Sequence, residues 1–113
     1  MRFEKLEVWK KAARLSADLY VTFASLKDYG FRDQITTAGL SIPSNIAEGY
    51  ERESKKEMAN FLNYAKGSAG ELRTQVYVGM DVGYIESETG LRWLREVEEI
   101  SRMLHGLIRS LRS

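Results

Sequence analysis

Cysteine is missing from this 113-residue chain, and proline and histidine occur once each, at Pro43 and His105. Without cysteine, the disulfide frameworks of small secreted domains and thiolate metal sites are both excluded, so the interior must be held by packing. The sequence contains no run of about 18 apolar residues, the length needed to span a membrane, and its N-terminal part has no apolar signal core. We therefore expect a cytoplasmic protein with no membrane partner.

An excess of charge of one sign is also missing. Seventeen basic and sixteen acidic side chains leave a formal net charge of +1, so no overall field draws the chain to nucleic acid or to an anionic membrane. Hydrophobic residues make up 43% of the chain and charged residues 29%, which is ordinary for a folded domain. This length predicts one domain, residues 1–113, with one core.

Four segments repeat apolar residues at helical spacing. The first helix is predicted from Leu6 to Phe23 and the second from about Phe31 to Tyr50. The third opens at a capping box on Ser54 and ends at Gly83, and the fourth is capped by Ser87. The stripes predicted to face the core are Leu6, Trp9, Ala13, Ser16, Tyr20 and Phe23; Ile35, Ala38, Ile42, Ile46 and Gly49; Met58, Phe61, Leu62, Ala65, Ala69, Leu72, Val76 and Met80; and Leu94, Val97, Leu104, Ile108 and Leu111.

Strict strand alternation occurs nowhere, and the short connections favour antiparallel neighbours. The sequence thus predicts an all-α fold, an antiparallel up-down four-helix bundle. The run from Val76 to Met80 is apolar around most of its helix, which indicates a subunit interface.

Pro43 lies inside the second apolar stripe, where it removes one backbone hydrogen bond and presses on the carbonyl of residue 39. Residue 39 is glycine and gives the backbone room, so we predict a kinked but continuous helix. The alternative is a break, with Ser41 capping a new helix.

A polar stripe runs one residue ahead of the apolar stripe on the second helix, and the third helix carries a counterpart. We interpret the two as a buried polar network that fixes helix register or subunit contacts. The alternative is a lined cavity in which Glu48 and Glu71 bind a ligand, a cation or a proton. This polar seam consists of Gln34, Thr37, Ser41, Asn45 and Glu48 with Tyr64, Ser68, Glu71 and Gln75.

No catalytic, cofactor-binding or metal-binding set stands out in the sequence. Di-iron bundles need Glu-x-x-His pairs on facing helices, whereas Arg102 stands three residues before the single His105. We assign no enzymatic activity and no cofactor.

Basic side chains are concentrated on the first and fourth predicted helices. Arg95, Arg102 and Arg109 recur every seven residues and are therefore aligned along the helix. Such a row suits RNA phosphates, while Glu98 and Glu99 nearby offer the alternative of a solvated flank with ion pairs. The nucleic-acid-binding candidates are Lys10, Lys11, Arg14, Arg92, Arg95, Arg102 and Arg109.

The string Ser-Ile-Pro-Ser-Asn-Ile-Ala-Glu-Gly, from Ser41 to Gly49, resembles the signature of the four-helix-bundle family associated with intervening sequences in bacterial 23S ribosomal RNA genes. Flanking motifs extend the resemblance over essentially the whole chain. They are Leu6, Val8 and Trp9; Tyr29, Gly30 and Gln34; and Phe61, Ala65, Gly67, Ser68, Glu71 and Leu72.

The resemblance implies an antiparallel bundle that assembles as a ring-like homopentamer. It implies no defined reaction. A more distant relative of similar architecture, the accessory variability determinant of diversity-generating retroelements, binds nucleic acid and a reverse transcriptase. That relative is strongly basic, whereas this chain is nearly neutral.

Two functional hypotheses follow. The first is a non-enzymatic oligomeric scaffold or accessory protein that binds RNA or an RNA-processing partner. The second is a helical bundle that binds a small ligand or a cation through Glu48 and Glu71.

Overall fold

A computed structural model describes residues 2–112, and within that range it contains four long helices and no strand. These are α1 (Glu7–Thr22), α2 (Tyr29–Tyr50), α3 (Lys55–Asp81) and α4 (Ser87–Ser110), with a short 3-10 turn at Phe3–Lys5 before α1. They form a four-helix bundle about 44 Å long and 20 Å across. The all-α prediction is confirmed.

The core-facing side of α1 differs from the predicted stripe by one residue. Val8, Leu15 and Leu19 are at most 2% exposed, whereas Tyr20 is 47% exposed. Only Ser16 and Phe23 of the predicted stripe are buried. The prediction was wrong here because α1 carries two adjacent apolar stripes. The aliphatic one faces the core, while the aromatic one, apart from Ser16 and Phe23, lies at its edge.

Helix α2 begins two residues earlier than predicted because Asp28 caps it. The Asp28 carboxylate accepts a hydrogen bond from the Phe31 backbone N–H at 3.1 Å, which satisfies a donor that the first turn leaves free. The helix continues through the buried Pro43, so the alternative of a break is wrong. All five residues of its predicted apolar stripe are buried.

Helix α3 is the longest element and begins and ends where the sequence indicates. Ser54 Oγ accepts a hydrogen bond from the Glu57 backbone N–H at 3.0 Å. Gly83 follows the helix with φ of +83°, a left-handed conformation that glycine adopts without steric cost.

Helix α4 starts differently from the prediction. Ser87 is its first residue rather than its cap, and Glu86 in the cap position makes no side-chain capping bond. The predicted Leu94, Val97 and Leu104 are buried, and Trp93 joins them with 0% exposure.

Neighbouring helices approach closely where glycines face them. A Cβ on Gly39 would overlap the Leu19 side chain of α1, and a Cβ on Gly49 would lie 3.2 Å from the Met58 carbonyl oxygen of α3. Both glycines therefore set how near α2 lies to its two neighbours. Within residues 2–112, none of the helices is long and apolar enough to cross a membrane.

Candidate functional site

The predicted polar seam meets across α2 and α3 at a pair of serines. Ser41 Oγ and Ser68 Oγ are 2.8 Å apart, and Asn45 Nδ2 donates to both Ser41 Oγ at 2.9 Å and the Ser41 carbonyl at 2.8 Å. All three side chains are half-buried. The cluster is a hydrogen-bonded contact at the bundle surface rather than the lining of an interior cavity.

A second contact of the seam lies nearer the start of α2 and leaves one atom unsatisfied. Gln75 Nε2 donates to the Gln34 carbonyl at 3.4 Å, whereas Gln75 Oε1 is buried and has no partner among the described residues. A buried acceptor without a donor lowers stability unless another molecule supplies one.

The two carboxylates of the seam are not enclosed. Glu48 and Glu71 are both exposed, and Glu48 Oε1 lies 3.6 Å from Arg52 Nη2. Thr37 and Tyr64 are exposed as well. Among residues 2–112, no group of three or more acidic or histidine side chains could hold a metal ion.

The outer side of α2 carries no charge over most of its length. The fourteen residues 34–47 contain no Asp, Glu, Lys or Arg. Two residues on this outer side, Leu40 and Ser44, are exposed to solvent. Between α2 and α1 lies an apolar groove of about 450 Å³. Its lining includes part of the aromatic stripe of α1, namely Trp9, Ala13 and Tyr20.

The side of α3 next to α2 continues this surface and carries one charged residue there, the exposed Glu71. Tyr64 and Val78 are exposed there, and Gly67 sits in mid-helix with nothing within 4 Å of where its Cβ would be. A glycine in a helix interior is less favourable than alanine by about 1 kcal/mol, and no contact within the chain requires it here. We call the outward side of residues 34–47, with Trp9, Ala13 and Tyr20 on one flank and Tyr64, Gly67 and Val78 on the other, the α2 face.

The opposite edge of the bundle, around α4, is densely charged. Helices α1 and α4, which carry the basic clusters, are neighbours in the bundle. Acidic side chains pair with four of the seven nucleic-acid-binding candidates. Lys11 Nζ lies 3.4 Å from Glu99, and Arg92 Nη1 lies 3.3 Å from both Asp18 and Glu96. Lys10 pairs with Glu7 and Arg102 with Glu98 in the same way.

Three of the candidate cations have no ion pair among the described residues: Arg14, Arg95 and Arg109. Arg95 and Arg109 are fourteen positions apart on α4, which corresponds to about 21 Å along the helix axis. We call the exposed side of α4, with Arg95, Arg102 and Arg109, the α4 edge.

Asp18 is a structurally important residue that the sequence did not reveal. Its Oδ2 accepts a hydrogen bond from the Trp93 indole N–H at 2.8 Å and also contacts Arg92. Trp93 is fully buried, so this carboxylate satisfies a donor that would otherwise lack a hydrogen bond. The two residues are 75 positions apart, and no local pattern links them.

Comparison with known proteins places the chain in a family. The sequence profile of the 23S rRNA-intervening sequence proteins matches residues 4–106. The chain belongs to that family. The signature string that suggested it, Ser41 to Gly49, forms the C-terminal half of α2 and contributes both core residues and the Ser41 and Asn45 contacts.

A solved member of the S23 ribosomal protein family has a similar fold. It is a protein of unknown function from Bacteroides thetaiotaomicron, with a TM-score of 0.84 and 25% sequence identity, and the match covers 89% of this chain and 97% of that one. No curated protein matches the chain. The 23S rRNA-intervening sequence family thus fixes the fold class and leaves the molecular activity undefined.

Proposed function

We propose that the chain is a non-enzymatic cytoplasmic scaffold or accessory protein. In this proposal, antiparallel up-down bundles assemble through the α2 face into a homo-oligomer, a ring-like pentamer. The assembled ring presents its α4 edges to RNA or to an RNA-processing partner.

The lack of charge along residues 34–47, the α2 part of this face, is the observation that carries the proposal. The solvent-exposed side of a helix normally carries several charged residues, whereas residues 34–47 contain none. Depletion of charge together with exposed tyrosines is typical of the centre of a protein interface.

The antiparallel arrangement is supported by contacts that run in opposite order along neighbouring helices. Gln34 contacts Gln75 whereas the later Ser41 contacts the earlier Ser68. A ring also needs two different surfaces on each copy, because only a heterologous contact closes into an odd-numbered ring. The groove beside α1 and the Gly67 side of α3 are two such surfaces, and the small glycine lets another helix approach.

The assembly is tested by introducing one charge into the α2 face. We expect Leu40→Glu to dissociate the oligomer, because it buries an unpaired carboxylate at every contact. Leu91→Glu is the matched control: Leu91 is 51% exposed against 47% for Leu40, but it lies on α4. Light scattering gives the mass of each. A monomeric wild-type chain, or dissociation by the control alone, would refute assembly through this face.

The RNA branch of the proposal rests on the unpaired arginines. Arg95 and Arg109 keep their charge free for phosphates, whereas Arg102 shares its charge with Glu98 at 3.5 Å. Repetition of these weak contacts around an oligomer raises the overall affinity without new contacts.

Filter binding of structured RNA over a salt series tests this branch. Removing one phosphate contact lowers the slope of log affinity against log salt by about 0.9 for a duplex or 0.7 for a single strand. We expect Arg95→Gln with Arg109→Gln to flatten the slope, and Lys27→Gln, away from the α4 edge, to leave it unchanged. Absence of retention at low salt would leave a scaffold that works through a protein partner only.

A further inference from the structure

Large exposed apolar side chains gather at the end of the bundle where α1 and α3 finish. Val82, which directly follows α3, is 57% exposed. Tyr29 at the start of α2, Tyr84 in the turn after α3 and Leu91 in the first turns of α4 are also exposed. We call these four residues, Tyr29, Val82, Tyr84 and Leu91, the apolar end.

Direct contacts bring the two turns of this end together. Tyr84 Oη donates a hydrogen bond to Asp28 Oδ2 at 2.9 Å, and the Tyr84 ring lies 5.3 Å from Phe31. Phe23 packs in turn against Phe31 and Trp93, each at 5.8 Å. The apolar end therefore lies on an aromatic cluster at one end of the bundle, which is about 20 Å across.

The surface is built on an ordered base. Ile85 in the second turn is 4% exposed and fills the space in front of Gly79. The Tyr84 N–H donates to the Gly79 carbonyl at 2.8 Å, which closes the turn after α3. A partner docking here meets a preformed surface and has little chain to order, which favours binding.

Carboxylates outnumber basic side chains in the two chain segments that form the apolar end. Residues 22–33 and 78–91 contain five acidic and two basic side chains, a formal charge of −3 in a chain whose total is +1. Asp81, Glu86 and Glu88 have no ion pair among the described residues. Hydrogen bonds from the Phe31 N–H and the Tyr84 hydroxyl lower the pKa of Asp28 and keep it ionised.

One contact within the chain shows how a guanidinium sits on this surface. The Arg32 guanidinium carbon lies 4.6 Å from the centre of the Tyr29 ring while its Nε lies 3.4 Å from Asp33. An exposed tyrosine next to a carboxylate thus binds an arginine in two ways: the tyrosine ring contacts the guanidinium, and the carboxylate pairs with its charge. Tyr84 beside Asp28 offers a second tyrosine and carboxylate pair.

We propose that the apolar end docks a basic, aliphatic segment of a partner protein. Arginine or lysine side chains of that segment pair with Asp81, Glu86 and Glu88, and its aliphatic side chains cover Val82 and Leu91. Nucleic acid and anionic lipid are repelled by the carboxylates, and the proposed contact with a second copy of the chain uses the α2 face instead. The apolar end shares no residue with the α2 face, although Val78 and Val82 adjoin at the end of α3, and this docking is proposed independently of the oligomer.

The probe is a fluorescein-labelled peptide of alternating arginine and leucine, followed by fluorescence anisotropy. Saturable binding to the wild-type chain is expected. We expect the double variant Asp81→Asn/Glu88→Gln to weaken peptide binding by about five- to tenfold. The single variant Val82→Ser should weaken it by a similar factor. The matched control is Glu51→Gln with Glu53→Gln, two exposed carboxylates in the α2–α3 connection at the other end of α2 and α3.

The peptide controls separate charge from apolar contact. Alternating glutamate and leucine should not bind, and alternating arginine and glycine should bind more weakly than the arginine and leucine probe. The proposal is overturned if the probe shows no saturable binding at low salt. It is equally overturned if the Glu51 and Glu53 control weakens binding as much as the Asp81 and Glu88 pair does.

Discussion

The one-residue difference in the core face of α1 yields the sharpest stability prediction. Leu19 has 0% exposure, whereas its sequence neighbour Tyr20 is 47% exposed. Truncating each in turn to alanine asks which of two adjacent stripes holds the bundle together. We expect Leu19→Ala to be far more damaging than Tyr20→Ala, although tyrosine is the larger side chain.

The size of the effect follows from what surrounds Leu19. Its side chain fills the space where a Cβ on Gly39 would stand, so one wall of the cavity left by truncation is the α2 backbone. A backbone wall collapses poorly, and buried Leu→Ala changes cost about 2–5 kcal/mol. We therefore expect about 3–4 kcal/mol for Leu19→Ala and, because half of Tyr20 remains in water, about 1 kcal/mol for Tyr20→Ala.

Urea unfolding followed by circular dichroism at the helical band measures both values. A slope of about 2 kcal/mol per molar urea converts the expected loss for Leu19→Ala into a midpoint lowered by about 1.5–2 M. The protein is diluted until the midpoint no longer changes, so that assembly does not add to the free energy of unfolding. Equal losses for both variants, or a larger loss for Tyr20→Ala, would refute the observed register and restore the aromatic stripe as the core.

Three further outcomes are expected. Gly67→Ala should raise the free energy of unfolding of the dissociated chain by about 1 kcal/mol, because alanine replaces glycine in a helix with open space around it; a clear decrease in the same urea assay would contradict this. A double-mutant cycle of Ser41→Ala and Ser68→Ala should give a coupling of about 1 kcal/mol for their 2.8 Å hydrogen bond, and a coupling near zero would argue against that bond. The pKa of Asp28 is lowered by its two donors, so its contribution is present above the unfolded pKa of about 4 and is lost as pH falls through the lower folded value. The pKa of Tyr84 is raised by Asp28, so its contribution is present below about pH 10 and is lost as pH rises further. Thermal unfolding of Tyr84→Phe over both ranges should show a weaker dependence on pH, and an unchanged alkaline profile would contradict the assignment.

Helices α2 and α3 could be predicted almost completely from the sequence. Their apolar stripes are single and regular, and Ser54 and Gly83 mark the ends of α3 by local chemistry alone. The polar contacts between α2 and α3 were also foreseeable in outline, because each helix carries a polar stripe at matching steps. Periodicity and capping act over a few residues, so the sequence displays them directly.

The register of α1 could not be predicted in the same way. Both of its stripes satisfy helical periodicity, and the choice between them depends on which one α2 approaches. Gly39 decides this by admitting Leu19 against the α2 backbone. The start of α4 was missed for a similar reason, since Ser87 has the chemistry of a cap but Glu86 occupies that position.

The candidate surfaces divide along the same line. The lack of charge from residue 34 to 47 and the seven-residue spacing of Arg95, Arg102 and Arg109 are properties of the sequence. The neutralisation of Lys11 by Glu99 is not, because it joins residues on different helices.

By itself, the sequence determined that this protein is helical, roughly where its helices lie, and to which family it belongs. Those properties follow from local periodicity, from capping and from one contiguous signature. Only the tertiary structure decided which stripe of α1 enters the core, which cations remain unpaired, and that Asp28 and Tyr84 meet at one end of the bundle 56 positions apart. These properties depend on distances between residues that are remote in the chain, and packing sets those distances.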